Sequence, residues 1–231
     1  MLQAISLSKN YGDYSALSQL DLTVKPGEVY CLLGQNGAGK TTTINLFLGF
    51  IEPSAGKILI NNEEVAVADT KRREHLAYIP EVVMLYPNLS AIENLDYFAR
   101  LAGFNYNENQ LQTYLSECGL QTTAHSQRLT GFSKGMRQKV GIAIALAKNA
   151  QIILMDEPTS GLDPKATAEF TSLVKKLAAS GKSILMATHD IFNAVALGTH
   201  IGIMKQGKLI HTLKASDLSA NDLQKLYLQT I

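Results

Sequence analysis

Gly34-Gln35-Asn36-Gly37-Ala38-Gly39-Lys40-Thr41, followed by Thr42, fits the pattern G-x-x-x-x-G-K-[ST]. Glycines at this spacing let backbone N–H groups turn inward around a polyphosphate. The lysine reaches the outer phosphates, and the Ser/Thr hydroxyl can ligate Mg²⁺. The flanks supply the context that such a loop requires. Glu28-Val29-Tyr30-Cys31-Leu32-Leu33 is a short, mostly apolar run that reads as a buried strand. Thr42-Thr43-Ile44-Asn45-Leu46-Phe47-Leu48 reads as a helix stopped by Gly49. Strand, loop and helix in this order aim a helix N-terminus at the phosphates.

The 231 residues suffice for one large domain or two lobes sharing a core. Hydrophobic residues make up 46% and charged residues 18%, the balance of an ordinary globular protein. A formal net charge of +1 argues against a chain that wraps nucleic acid. The two cysteines, Cys31 and Cys118, do not make a disulfide scaffold and fit a reducing compartment. Met1-Leu2-Gln3-Ala4-Ile5-Ser6 has neither the basic segment nor the apolar run of a signal peptide. The longest apolar run, residues 140–147 between Lys139 and Lys148, is far shorter than the ~20 residues that span a bilayer. Any membrane role is therefore expected through a partner.

The chain falls into three parts. Up to about residue 80 it is rich in strands. Leu20-Asp21-Leu22-Thr23-Val24 alternates, Pro53-Ser54-Ala55-Gly56 reads as a turn, and Lys57-Ile58-Leu59-Ile60 leads into a hairpin at Asn61-Asn62. Residues 88–149 read as helical. Ser90 and Glu93 have capping-box spacing, and Ile92, Leu95, Phe98 and Ala99 recur at helical intervals. Ser133 can cap a helix lined by Val140, Ala143, Ile144 and Ala147. The last third returns to alternating strands and helices. Residues 151–156 form an apolar strand ending in acid, and Asp163-Pro164 opens a helix with Phe170, Leu173, Val174 and Leu177 on its core face. Ser183-Ile184-Leu185-Met186-Ala187-Thr188 is a further buried strand, and Gln206-Gly207 turns a hairpin.

In a parallel sheet, ligands sit outside the carboxyl ends of the strands. Asp156 would then emerge beside the phosphates and hold Mg²⁺, and Glu157 could polarise an attacking water. Alone, this pair reads equally as two solvated carboxylates. His189 follows a buried strand, and a histidine at a strand's carboxyl end can contact the γ-phosphate and the attacking water, although it also reads as a satisfied strand-end histidine. His75, His125, His200 and His211 read as structural. Tyr11 can stack on a base, although a tyrosine beside a strand is usually packing.

Taken together, these motifs resemble an ATP-binding cassette (ABC) ATPase over essentially the whole length. Residues 34–41 match Walker A, residues 152–156 match Walker B with Glu157 as the following acid, and Ser160-Gly161-Leu162-Asp163 matches the D-loop. His189 matches the switch histidine, and Tyr11 the aromatic position that stacks on adenine. The signature L-S-G-G-Q corresponds to Phe132-Ser133-Lys134-Gly135-Met136, with Ser133 and Gly135 retained. The Q-loop glutamine is replaced by Glu81 in Tyr78-Ile79-Pro80-Glu81. Glu81 can ligate Mg²⁺ more strongly than an amide but adds negative charge near the γ-phosphate.

The resemblance implies an α/β P-loop NTPase (RecA-like) fold: a parallel-sheet core, an antiparallel β lobe and an inserted α-helical subdomain. The single ABC domain would place core and lobe at 1–80 and 150–231 and the helical subdomain at 81–149. It implies ATP and Mg²⁺ as cofactors, with Thr41, Asp156 and Glu81 at the metal and Lys40, Glu157 and His189 catalytic. Two cassettes would join head to tail, Ser133, Lys134, Gly135 and Met136 of one facing the ATP of the other. The partners implied are a second copy and a transmembrane permease, with no nucleic acid, at the cytoplasmic face of the plasma membrane. Pro80-Glu81, residues 85–90 and the Ser-Lys-Gly-Met signature resemble ATPases paired with ABC-2-type export permeases. That branch takes in antibiotic efflux pumps and the copper-site maturation ATPase of nitrous oxide reductase. The alternatives are a soluble ABC ATPase acting on DNA or ribosomes, which usually carries coiled-coil arms or paired cassettes, and a P-loop kinase or GTPase. The chain has no guanine-reading Asn-Lys-x-Asp.

Overall fold

The computed structural model describes residues 1–66 and 74–231. β1 (Leu2–Tyr11) and β2 (Tyr14–Val24) form a long antiparallel pair, then β3 (Val29–Leu33) runs into α1 (Lys40–Leu48). β4 (Ala55–Ile60), β5 (Glu63–Glu64) and β6 (Leu76–Ile79) follow. Next come α2 (Ala91–Leu101), α3 (Glu108–Glu117) and α4 (Lys134–Ala147). The remainder alternates: β7 (Ile152–Asp156), α5 (Pro164–Ala179), β8 (Ser183–Thr188), α6 (Ile191–Leu197), β9 (His200–Lys205), β10 (Lys208–Lys214) and α7 (Ala220–Thr230).

Two sheets result. One is antiparallel, in the order β2-β1-β4-β5, and the other has six strands, β10-β9-β3-β8-β7-β6. Within the second sheet only the β9–β10 pair is antiparallel. Every residue of β3 and β8 is buried, as continuous apolar strands covered on both faces should be. Successive side chains feed two cores. Cys31, Leu33, Met155 and Met186 face the core built with α2 to α7, while Tyr30, Leu32, Leu154 and Leu185 face α1 and the antiparallel sheet. Phe47 and Ile44 of α1 are fully buried in the second core, each contributing roughly 1.5–3 kcal/mol by leaving water. That burial, rather than a capping side chain, holds α1 in place.

The Ser90–Glu93 capping box forms as the spacing predicts, and Asn107 with Gln110 forms a second box at the start of α3. Ser133 caps α4 by accepting from Met136 N at 3.2 Å. Asp163 caps α5 ahead of Pro164. The predicted turn at residues 53–56 is shorter than expected: Ala55 and Gly56 already belong to β4. The pairing of β1 with β4 shifts register between Ile5 and Ser8. Gly56 takes φ 79° at that bulge, and a Cβ there would collide with the Ser6 carbonyl.

Candidate phosphate-binding site

The parallel register aligns four strand ends on one edge. Leu33 pairs with Thr188, Met155 with Met186, and Ile79 with Met155. Each strand then delivers one of the sequence candidates. Gly34 follows β3, His189 follows β8, Glu157 follows β7, and Glu81 comes two residues after β6.

The glycine loop curls back before α1. Ala38 N donates to Gln35 O at 3.1 Å. Gly39, at φ 104°, caps α1 without a side chain, and a Cβ on it would lie 3.0 Å from Ala16 O. The first-turn amides of α1 are thus left to an incoming anion, at the positive end of the helix dipole. Lys40 is only 6% exposed. Its Nζ donates to Gly34 O (2.6 Å) and Gln35 O (3.3 Å) and lies 3.7 Å from Glu157 Oε1. A buried ammonium needs such partners, and phosphate oxygens can exchange for the carbonyls.

Thr41 Oγ1 donates to Asp156 Oδ2 at 3.0 Å. Burial is the main cause that pushes the Asp156 carboxyl above its ordinary 3.8. The Thr41 hydrogen bond opposes the rise, and the charges of Glu157 and Glu81 add to it. A cation beside it would relieve that strain. Hydroxyl and carboxylate are hard oxygen donors of the kind that take a divalent ion whose other ligands are phosphate oxygens and water. Among the described residues, no group of three His, Cys, Asp or Glu side chains could hold a metal.

Glu157 takes φ 45°, left-handed for a residue with a Cβ. Its backbone N–H donates to Ala187 O at 2.9 Å, fixing that turn. Oε2 lies 2.8 Å from His189 Nδ1, and it accepts from His189 N (3.3 Å) and Thr188 Oγ1 (3.4 Å). The carboxylate is therefore held between Lys40 and His189, with 15% of the side chain exposed. The His189 ring, expected at the γ-phosphate, here touches Glu157 and is otherwise open to solvent.

A cleft of about 360 Å³ runs along the loop, lined by residues 35–37 and 39–42 on one side and by Tyr11, Tyr14 and Ala16 on the other. Tyr11 is half exposed, with Lys9 Nζ 4.9 Å from its ring centroid. Sequence reasoning missed Tyr14. The tight β1–β2 turn at Gly12-Asp13 puts it beside Tyr11 in the register, a hairpin signal that was available.

Other candidates lie apart from the loop. No hydrogen bond or ion pair among the described residues joins Ser133, Lys134, Gly135 or Met136 to residues 34–42. Lys134 Nζ pairs instead with Glu81 Oε1 at 3.7 Å. Glu81 reaches Asp156 only through space. The Ser160-Gly161-Leu162-Asp163 turn is closed by Ser160 N to Glu157 O (3.1 Å) and Leu162 N to Thr159 O (3.1 Å).

A glycine loop between strand and helix, with an acid pair at the end of β7, separated from β3 by β8 in the same sheet, defines a P-loop nucleoside triphosphatase. The family model for "ABC transporter" matches residues 17–160. The chain is 34% identical over 225 residues to the Nod factor export ATP-binding protein I of Cupriavidus metallidurans, covering 96% of this chain and 74% of that one. It is 35% identical over 231 residues to the bacitracin transport ATP-binding protein BcrA of Bacillus licheniformis, covering 99% and 74%. It superposes on an ATP-binding subunit of an ABC transporter with TM-score 0.83 at 31% identity, covering 99% of both chains. A dimeric ATP-binding cassette in a post-hydrolysis state, bound to ADP and Pi, matches with TM-score 0.80 at 29% identity over 93% of this chain and 99% of that one. The chain belongs to the ABC transporter family and is an ATP-binding, ATP-hydrolysing transport subunit. The transport relatives and the dimeric cassette support a cassette dimer and a permease partner in general. Among the described residues no helix is long and apolar enough to cross a membrane.

Proposed function

We propose that two copies of this chain close head to tail on two Mg²⁺-bound ATP molecules and drive export through a separate permease. The observation that carries this reading is the separation of two half-sites. The phosphate loop lies at the carboxyl edge of the sheet, and among the described residues no hydrogen bond or ion pair joins the Ser133 helix start to it. A lone chain would then grip the phosphates without the γ-phosphate cap that a second copy's Ser133 hydroxyl and α4 N-terminus can supply.

In this reading Tyr11 stacks on the adenine, with Tyr14 beside it. The loop amides and Lys40 hold the phosphates. Thr41 and Asp156 would hold Mg²⁺, which would supply charge neutralisation for the transferring phosphoryl group. Glu157 takes the proton of the attacking water, and His189 fixes the carboxylate and the γ-phosphate end. Residues 1–80 and 150–231 form the catalytic core with its antiparallel lobe. Residues 81–149 form the helical subdomain that transmits closure to the permease, through Glu81, at the cytoplasmic face of the membrane. The export direction is supported by relatives named for Nod factor export.

Glu157→Gln tests the reading. The variant should bind ATP, hydrolyse it very slowly and elute as a dimer in Mg²⁺ and ATP. A monomeric elution profile under those conditions counts against the shared site. Wild-type turnover removes Glu157 as the base.

A further inference from the structure

Asn193 sits in the first turn of α6, outside every motif quoted above, and is 9% exposed. Its side-chain Nδ2 donates twice, to Thr159 Oγ1 at 3.1 Å and to Asp190 Oδ2 at 2.7 Å. Thr159 is itself buried and immediately precedes the Ser160–Asp163 turn. Asp190 follows His189, and its backbone N–H donates to Thr188 Oγ1 at 3.0 Å. That hydroxyl in turn donates to Glu157 Oε2 at 3.4 Å. The bonds form one polar path: Thr159, Asn193, Asp190, Thr188, Glu157.

We propose that Asn193 is a positioning residue that ties the Ser160–Asp163 turn to the Glu157–His189 pair. The inference rests on the role of Glu157 proposed above. A local capping role does not account for the geometry. Capping of α6 uses Asp190 Oδ1 and the backbone N–H of Asn193, 3.0 Å apart. The Asn193 side chain adds a bond to Thr159, 34 residues away in sequence. A primary amide is suited to the place, because one nitrogen has two protons and meets two acceptors in two loops. An aspartate would lack both protons and face the Asp190 carboxylate. A chain of hydrogen bonds through buried and half-buried groups holds its ends in one arrangement. Displacement of the Ser160–Asp163 turn, which would face the second copy, is thereby passed to the carboxylate without moving the phosphate loop.

The test uses Asn193→Leu, Thr159→Val and the double variant, each with Mg²⁺ and ATP. Expected is a fall in kcat of about tenfold or more with ATP affinity changed by less than about twofold. The double variant should be no slower than the slower single, because both cut one path. Thr159→Val removes only a hydroxyl and decides the matter if Asn193→Leu fails to fold. Wild-type kcat in Thr159→Val, or multiplicative losses in the double variant, overturns the inference. Glu157→Gln, run alongside, separates the two claims. Wild-type turnover there sinks the base, whereas an inactive Glu157→Gln beside a fully active Thr159→Val sinks only the coupling.

Discussion

Lys134 Nζ stands 3.7 Å from Glu81 Oε1, so two positions at which the chain departs from the usual ABC pattern contact one another. The lysine replaces the first glycine of the signature pair, and the glutamate replaces the Q-loop glutamine. Gln138, one turn further along α4, donates to the carbonyls of Pro80 (3.4 Å) and Glu81 (3.3 Å). The backbone of the Glu81 loop is therefore held by α4 independently of the ion pair. With side chains 30% and 51% exposed, the pair contributes under about 1 kcal/mol and is screened by salt.

Glu81→Gln is accordingly expected to retain ATP binding, with affinity within about tenfold of wild type, or 1.4 kcal/mol. Calorimetric titration checks this, and a larger loss would make Glu81 an essential ligand. A cycle of Glu81→Gln with Lys134→Met should give a coupling below about 1 kcal/mol that fades at high salt.

The bulge at Gly56 makes a stability prediction far from the chemistry. A methyl group there meets the Ser6 carbonyl, and the backbone is already left-handed. Gly56→Ala is expected to destabilise the fold by about 2 kcal/mol or more. Gly131→Ala is the control. A Cβ at Gly131 meets nothing within 4 Å and no positive φ is required, so that variant should move stability by less than about 1 kcal/mol. Urea unfolding of the two variants compares them, and equal midpoints would refute the assignment of the bulge.

Much of the site was legible because its elements are local. The glycine loop, the apolar strands before it and before Asp156, and the caps at Ser90, Ser133 and Asp163 are each written within a few neighbouring residues. What sequence did not show is what the sheet assembles. The contact of Thr188 and His189 with Glu157 depends on β7 and β8 being neighbours in register, and linear spacing does not encode that. The helix α6 has seven residues, too few for a 3.6-residue period to declare itself, so Asn193 was invisible. The Lys134–Glu81 pair joins residues on either side of two helices, α2 and α3, and no local pattern predicts it.

Cys31 and Cys118 are 0% and 2% exposed, and burial is the main cause pushing each thiol up to about 12. Thiolate is the reactive form, so neither should react with an aromatic disulfide reagent in the native state. In urea both thiols should titrate. Rapid native labelling of Cys31, which lies three residues before Gly34, would mean that β3 opens locally and that the loop is less rigid than its packing implies.

Asp156 gives a pH-dependent prediction whose sign follows from its raised carboxyl. A raised acid binds its proton more tightly in the folded state, so its contribution is most favourable below the ordinary 3.8 and is lost as pH rises through the raised value. Near neutral pH the ionised, half-buried carboxylate therefore opposes folding. Asp156→Asn keeps an oxygen for the Thr41 hydroxyl and removes the charge. In the nucleotide-free chain it should raise Tm near neutral pH. Solvent screening limits the gain to under about 1 kcal/mol, at most about 2–4 °C for this length. The difference should vanish in acid. The Mg²⁺-dependent rise in Tm expected with ATP in the wild type should shrink or disappear in the variant, since the ligand is gone. Melting curves across pH, with and without Mg²⁺ and ATP, read both effects. A variant less stable than wild type near neutral pH would show that the Asp156 charge supports the fold through the Thr41 bond.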